Sequence, residues 1–308
     1  MSKAKLAIAL STLSVAIVAW AVPQTGIAHQ RVQRAESRSN IARVAPIRLR
    51  DDRDGGLLAN GWINGRGPFV FAIDTGAGVS LISRNVVERA GLRVTKSGRP
   101  LVGGLSTSPI SSDQEAHISR LALGRSNNDM PGSFNAVVVA NLPGSLDGVL
   151  DPTEVFSPLG YTVDLPTHEL RAFDMRLRVS EVPKDGAVVR WVREAGSDRP
   201  FVRLGDGRLA LIDTGSGLGL ALNGGSGSNH RRSDNSVHDL GGGIVQSHRI
   251  EPQVVSIGSL VLNKVPTDLL TGVAPGTPII LGRGALFPFS ITFDPISRLI
   301  AFAPAERD

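Results

Sequence analysis

The sequence predicts an all-β protein of two homologous β-barrel lobes related by a pseudo-twofold axis, with a site between them. Three observations predict this. Short Val/Ile/Leu-rich runs, broken up by 35 Gly and 19 Pro, read as many strands joined by tight turns. A series of segments in the first half of the chain recurs in the same order in the second. Within that series one tripeptide, Asp-Thr-Gly, closes an apolar run twice, at 74–76 and at 213–215.

Composition sets the frame for these elements. The chain has 308 residues, 41% of them hydrophobic, with mean hydropathy +0.05. That describes a globular chain long enough for two ordinary domains, and neither a disordered chain nor a polytopic membrane protein. The absence of cysteine excludes a thiol nucleophile, a zinc–thiolate site and any disulfide, and leaves the redox compartment open. The net charge of +5 comes mostly from Arg scattered among Asp and Glu, which reads as a solvated basic surface. A nucleic-acid groove needs clustered cations with aromatics to stack on. Aromatics make up 5% of the chain, so nucleic acid is not expected as a partner.

The N-terminus reads as an export signal. Lys3 and Lys5 form a charged start, Leu6 to Ala21 an apolar run, and Ala19-Trp20-Ala21 a small-x-small cleavage pattern. The run can instead be kept as an N-terminal anchor, and membrane attachment follows only in that case. Ser11, Thr12 and Ser14 within it favour the signal. On either reading the bulk of the protein is exported: periplasmic, secreted, or held at a membrane by its N-terminal segment. Residues 22–45 form a polar, Arg-rich leader. The first lobe is expected over 46–176, a linker over 177–186, where Pro183 and Asp185-Gly186 interrupt the pattern, and the second lobe over 187–308.

The duplication is read segment by segment. Phe69-Val-Phe-Ala-Ile-Asp-Thr-Gly76 is echoed by Leu209-Ala-Leu-Ile-Asp-Thr-Gly215, and each leads into a second apolar stretch, Val79 to Ser83 and Leu218 to Leu222. Gly103-Gly104 and Gly241-Gly242-Gly243 follow at nearly equal offsets. Ile118 to Gly124 matches Val254 to Leu262, and Asp147-Gly-Val-Leu150 matches Pro278-Ile-Ile-Leu-Gly282. Tyr161-Thr-Val-Asp164 matches Ile291-Thr-Phe-Asp294. Matches in one order at similar spacing point to duplication, and two copies are too few for a solenoid. Residues 223–235 are a Gly/Ser/Asn-rich insertion in the second copy, expected as a surface loop.

In both copies Asp follows a continuous apolar strand, which sets a carboxylate at the edge of the core. A lone ionised carboxylate there is costly, so a partner or a shifted pKa is expected. Gly76 and Gly215 let the backbone turn sharply. Two such turns meeting across an axis bring Asp74 and Asp213 together.

The stretch Ile63-Asn-Gly-Arg-Gly-Pro-Phe-Val-Phe-Ala-Ile-Asp-Thr-Gly-Ala77 resembles the active-site segment of retropepsin-like aspartic proteases, bacterial ones included. Ile279-Ile-Leu-Gly-Arg283 resembles the second signature of that family, in which Gly-Arg opens a helix beneath the catalytic turn. The resemblance covers about Pro46 to Pro304 and implies a single chain that supplies both catalytic aspartates from retropepsin-sized lobes. It implies an aspartic endopeptidase that acts as a monomer on an extended polypeptide and needs no metal or other cofactor. Asp74 and Asp213 would share a proton and activate a water, a behaviour for which this enzyme class is itself the standard illustration. Thr75 and Thr214 would cross-brace the two turns. Gly103, Gly104, Gly241, Gly242 and Gly243 would sit in substrate-closing flaps, although ordinary hairpin turns suit them equally.

The sequence also departs from that pattern. Asp151-Pro152 stands where Gly-Arg is expected in the first copy, so the helix there is expected to be reshaped. Gly78 replaces a polar residue that grips substrate in relatives, and Tyr161, the only tyrosine, is far from a flap. The resemblance makes Arg283 a packing residue, with substrate contact as the other reading.

Other chemistry fits poorly. His230, His238 and His248 lack metal-ligand spacing. Ser216, His230 and Asp234 lack the Gly-x-Ser-x-Gly elbow of a serine hydrolase. Gly215 to Gly219 does not have the spacing of a phosphate loop. The alternative to a protease is a catalytically silent peptide-binding or envelope scaffold with the same two-lobed cleft, in which Asp74 and Asp213 only cap their turns.

Overall fold

The structure is a computed structural model that describes residues 44–52, 56–97, 105–106, 112–194, 197–224, 235–238 and 244–305. The expected signal, the expected leader up to residue 43, the five candidate flap glycines, His230 and Asp234 therefore lie outside the described residues. Every described residue belongs to one compact unit, Ser37–Asp308.

The first half carries β1 (Ile47–Arg48), β2 (Arg50–Asp52), β3 (Gly56–Ile63), β4 (Arg66–Ile73), β5 (Leu81–Ser83), helix α1 (Arg84–Ala90), β6 (Val94–Lys96), β7 (Gln114–Ile118) and β8 (Leu121–Leu123). It continues with β9 (Phe134–Val139), β10 (Gly148–Leu150), α2 (Pro152–Val155), β11 (Gly160–Asp164) and β12 (Glu169–Phe173). The second half carries β13 (Ala187–Arg190), β14 (Phe201–Arg203), β15 (Leu209–Asp213), β16 (Leu220–Asn223), β17 (Asn235–His238) and β18 (Ile244–Ile257). Its remainder is β19 (Leu260–Thr271), β20 (Ile279–Gly282), α3 (Arg283–Leu286), β21 (Phe289–Asp294) and β22 (Leu299–Pro304). The protein is all-β, and its helices among the described residues are short.

The strands form three sheets. A nine-stranded sheet runs β2-β3-β4-β10-β5-β9-β7-β6, with β8 attached to β3, and a seven-stranded one runs β14-β15-β20-β16-β19-β18-β17. The path β3-β4-β10-β5-β9-β7 in the first has the same order as β14-β15-β20-β16-β19-β18 in the second. Pairing directions repeat as well: β10 is parallel to β4 and antiparallel to β5, as β20 is parallel to β15 and antiparallel to β16.

One expected equivalence holds only in part. In the second half β18 and β19 form a long hairpin that turns between Ile257 and Leu260. In the first half the chain leaves β7 and β8 pairs with β3 instead, so that β9 alone returns to β7. Continuous β19 thus corresponds to two separate strands, and the connection carrying Asn128 lies between them. The Asn128 amide donates to the carbonyls of Ala45 and Leu123, at 3.0 and 2.9 Å.

The third sheet, six-stranded, runs β1-β12-β11-β21-β22-β13 and draws on both halves. At its centre β11 and β21 are antiparallel, with Thr162 opposite Thr292 and their hydroxyls 2.9 Å apart. Tyr161 stacks on Phe293 at 4.8 Å between ring centroids. The segment expected as a linker, 177–186, runs without a strand between β12 and β13.

The run from Phe69 to Ile73 is apolar at every position because both faces of β4 are covered. Phe69, Phe71 and Ile73 enter the main core with Leu57, Ile82 and Leu150. Ala72 faces a second cluster with Leu58, Leu81, Val137 and Val149. A polar residue at the end of such a strand sits at the boundary of two cores, and Asp74 is that residue.

Candidate active site

Asp74 directly follows β4 and Asp213 is the last residue of β15. Each strand is held from the side by a parallel neighbour. The Asp74 amide donates to the Leu150 carbonyl at 3.0 Å, and Asp213 lies opposite Gly282 in the β15–β20 register. The structure brings Asp74, Thr75, Gly76, Asp213, Thr214 and Gly215 together into one cluster.

The two turns lock through their threonines, both fully buried. The Thr75 hydroxyl donates to the Ile212 carbonyl at 2.8 Å and accepts from the Thr214 amide at 3.0 Å. The Thr75 amide in turn reaches the Thr214 hydroxyl at 3.4 Å. A buried amide that loses its acceptor bears its full desolvation penalty. We therefore expect Thr75→Val to lower unfolding free energy by about 2 kcal/mol and Thr75→Ser to restore most of it. Denaturant unfolding of the two variants checks this.

The glycines explain why each motif needs its third residue. A Cβ on Gly76 would lie 2.7 Å from Cγ of Asp213, and one on Gly215 would lie 2.5 Å from Cγ of Asp74. Each carboxylate therefore rests against the bare backbone of the opposite turn. Within its own turn the Asp74 Oδ1 accepts from the Gly76 amide at 2.7 Å, and the Asp213 Oδ1 accepts from the Ser216 amide at 3.0 Å.

Electrostatics separate the two acids. Burial and then the neighbouring Asp213 charge push the Asp74 carboxyl well above the ordinary carboxylate range, with the Gly76 amide opposing. Burial leaves Asp213 raised as well, although the hydrogen bond with Asp74, the amides of Ser216 and Gly215, and the Arg283 charge oppose the rise. Two carboxyls in contact cannot easily both ionise. The pair therefore holds one proton between its two members, and a protonated carboxyl beside an ionised one is what activation of a water and polarisation of a carbonyl require.

The departures from the repeat have structural counterparts. Asp151 does not abolish the helix beneath the first turn: α2 and α3 are each four residues long. The carboxylate of Asp151 caps α2 by accepting from the Thr153 amide at 2.8 Å, whereas Gly282 offers α3 no side-chain cap. At Gly78, which has φ +71°, an added Cβ would meet Cγ of Arg199 at 2.8 Å, so the aliphatic stem of an arginine from the second half covers that position. The Arg199 Nε donates to the Ser197 hydroxyl at 3.1 Å, and its guanidinium lies 5.4 Å from the Phe201 ring centre.

Arg283 opens α3 and donates to Asp51 Oδ1 at 2.6 Å, tying the second half to β2. The two residues line a cavity of about 310 Å³ with Leu57, His168, Gly217 and Phe287. The pairing with Asp51 was not legible in the sequence, because the two residues come from opposite ends of the chain.

Gly103, Gly104, Gly241, Gly242 and Gly243, the candidate flap residues, lie outside the described residues. Of their surroundings, Leu105 is described: its carbonyl accepts from the Ala274 amide at 2.9 Å, while Ser106 bridges to Val273. The segment just after the first glycine pair therefore touches the second half. His248 lies on β18, and Ser216 follows the second aspartate turn.

Residues 59–151 match the family model described as Aspartyl protease. This stretch runs from within β3 to Asp151 and includes the first Asp-Thr-Gly turn. The match covers less than half of the chain, and it likens this stretch to the aspartyl proteases of the retropepsin-like kind. No curated protein shows a significant match to the chain.

Proposed function

We propose that this protein is an exported aspartic endopeptidase that works as a monomer, with one dyad formed by Asp74 and Asp213 from two pseudo-twofold lobes, 46–176 and 187–308. Asp213 acts as the general base and takes a proton from a water held between the carboxyls. Asp74 donates to the scissile carbonyl, and the proton flow reverses as the amine leaves. The substrate is a polypeptide bound in extended form, without nucleic acid and without a cofactor.

One observation carries this reading: each aspartate is seated against the glycine of the other turn, at a distance no side chain would permit. A turn-capping aspartate in a silent scaffold needs no such fit. The repeated strand order supports the two lobes, and the family match over 59–151 supports the reaction class.

The test is incubation of the purified protein with a mixed peptide library, with and without a statine-type inhibitor. Cleavage that the inhibitor blocks, in a protein eluting as a monomer, is the expected result. Binding without cleavage favours the scaffold, and inhibitor-insensitive cleavage removes the dyad from the mechanism. Among the described residues no helix is long and apolar enough to cross a membrane. Cell fractionation with N-terminal sequencing of the mature protein tests export and cleavage after Ala21.

A further inference from the structure

The two halves differ most sharply beside the aspartates. Gly282 stands opposite Asp213 in the parallel β15–β20 pair. In the first half the register Gly148↔Phe71, Val149↔Ala72, Leu150↔Ile73, continued by the Asp74 amide bond to Leu150, sets Asp151 beside Asp74. Parallel neighbours lie about 4.8 Å apart. Asp151 is 1% exposed. Its amide donates to the Ser80 hydroxyl at 3.1 Å, and its carboxylate accepts from the Thr153 amide.

Capping alone does not account for an acid here. Asn, Ser and Thr cap helices about as well and carry no charge to bury. The titratable groups whose charges couple to Asp151 include Asp74 at the end of β4, Glu154 of α2, Asp198 ahead of β14 and the Tyr161 phenol of β11. All four are acids, and Asp198 is itself ion-paired with the half-exposed Arg193. The second half has the opposite arrangement, since Asp213 has a glycine at this position and the Arg283 cation nearby.

We propose that Asp151 is a positioning residue of the catalytic centre, a third carboxyl that keeps the shared proton on Asp74 and sets the upper pH limit of hydrolysis. The proposal rests on the protease reading above. Burial raises Asp151 to about 7, and its charge, where present, further raises Asp74. As pH rises through neutrality, a negative charge appears beside Asp74 and delays loss of the dyad proton. A duplicated site with two otherwise similar aspartates thereby gains a preferred seat for its proton at the start of the reaction.

The experiment is the pH profile of kcat/KM for the full chain and for Asp151→Asn and Asp151→Ser, both of which keep a helix cap. The expected result is an alkaline limb displaced to lower pH by about one unit in both variants, with the plateau within about threefold of the parent. An unmoved limb, or a uniform fall at every pH, assigns Asp151 a structural role and overturns the proposal while leaving the protease reading intact. A parent protein that cleaves nothing overturns both. If neither variant folds, carboxyl 13C titration of the parent decides: residues 74 and 151 must show coupled two-step curves, and independent single steps overturn the assignment.

Discussion

Asp74→Asn and Asp213→Asn each lower kcat/KM for peptide cleavage by about 10³- to 10⁴-fold, the range expected when a positioned acid or base is removed. The two losses do not add. In the proposed mechanism the aspartates share one proton and one water, so the double variant should be about as inactive as either single one. Asn fits the same space, and at position 74 it still accepts from the Gly76 amide. Neither single variant should therefore lose thermal stability. Asp74→Asn instead relieves a buried acid held against another, so its Tm stays level or rises, as happens where a site is built for chemistry at the expense of stability. Steady-state kinetics on one peptide, with thermal unfolding of the same samples, checks both halves of this expectation. Equal stability with undiminished cleavage would remove the dyad from the mechanism.

The second large effect is on the glycines. Gly215→Ala sets a methyl 2.5 Å from the Asp74 Cγ, and Gly76→Ala sets one 2.7 Å from the Asp213 Cγ. The carboxylates have little room to withdraw, since each is held by an amide of its own turn. Separating the turns would break the threonine bonds behind them. We expect each substitution to cost about 1–3 kcal/mol of stability, the usual result of overpacking. Activity should fall by at least about 10²-fold, because displacement of a catalytic group by an ångström has that effect. Gly217→Ala is the contrast: its Cβ meets only the Arg283 Nη2, at 3.7 Å. Its stability should stay within about 0.5 kcal/mol of the parent. Denaturant unfolding and kcat/KM for the three variants separate a steric requirement at the dyad from a general intolerance of the loop.

What the sequence disclosed and what it hid follow a physical line. The ends of β4 and β15 were legible because both-sided burial makes a strand uniformly apolar and an acid at its end conspicuous. The turn chemistry of Asp-Thr-Gly was legible for the same reason. The pairing of β11 with β21 was not, although both strands were recognised as copies. A match between two segments says that they are alike and nothing about whether they touch. The split of the first half into β8 and β9 was hidden too, since Leu121–Leu123 is as apolar as the start of β19 and only its partner strand differs. Asp151 was visible as a departure but read as damage to a helix. Its place beside Asp74 depends on parallel register, and carrying the alignment of 148–150 against 71–73 one residue further would have found it. The reach of Arg283 to Asp51 spans 232 residues of sequence, and no local pattern encodes it.

The six-stranded sheet that draws on both halves has a mechanical consequence. Because β11 and β21 exchange main-chain bonds, the first half severed from the second would present the bare edge of Gly160–Asp164, an open template for another chain. The covalent connection between the halves is thus a minor part of what unites them. A break within 177–186 would leave two pieces still woven through one ribbon, behaving toward water and toward each other much as the uncut protein does.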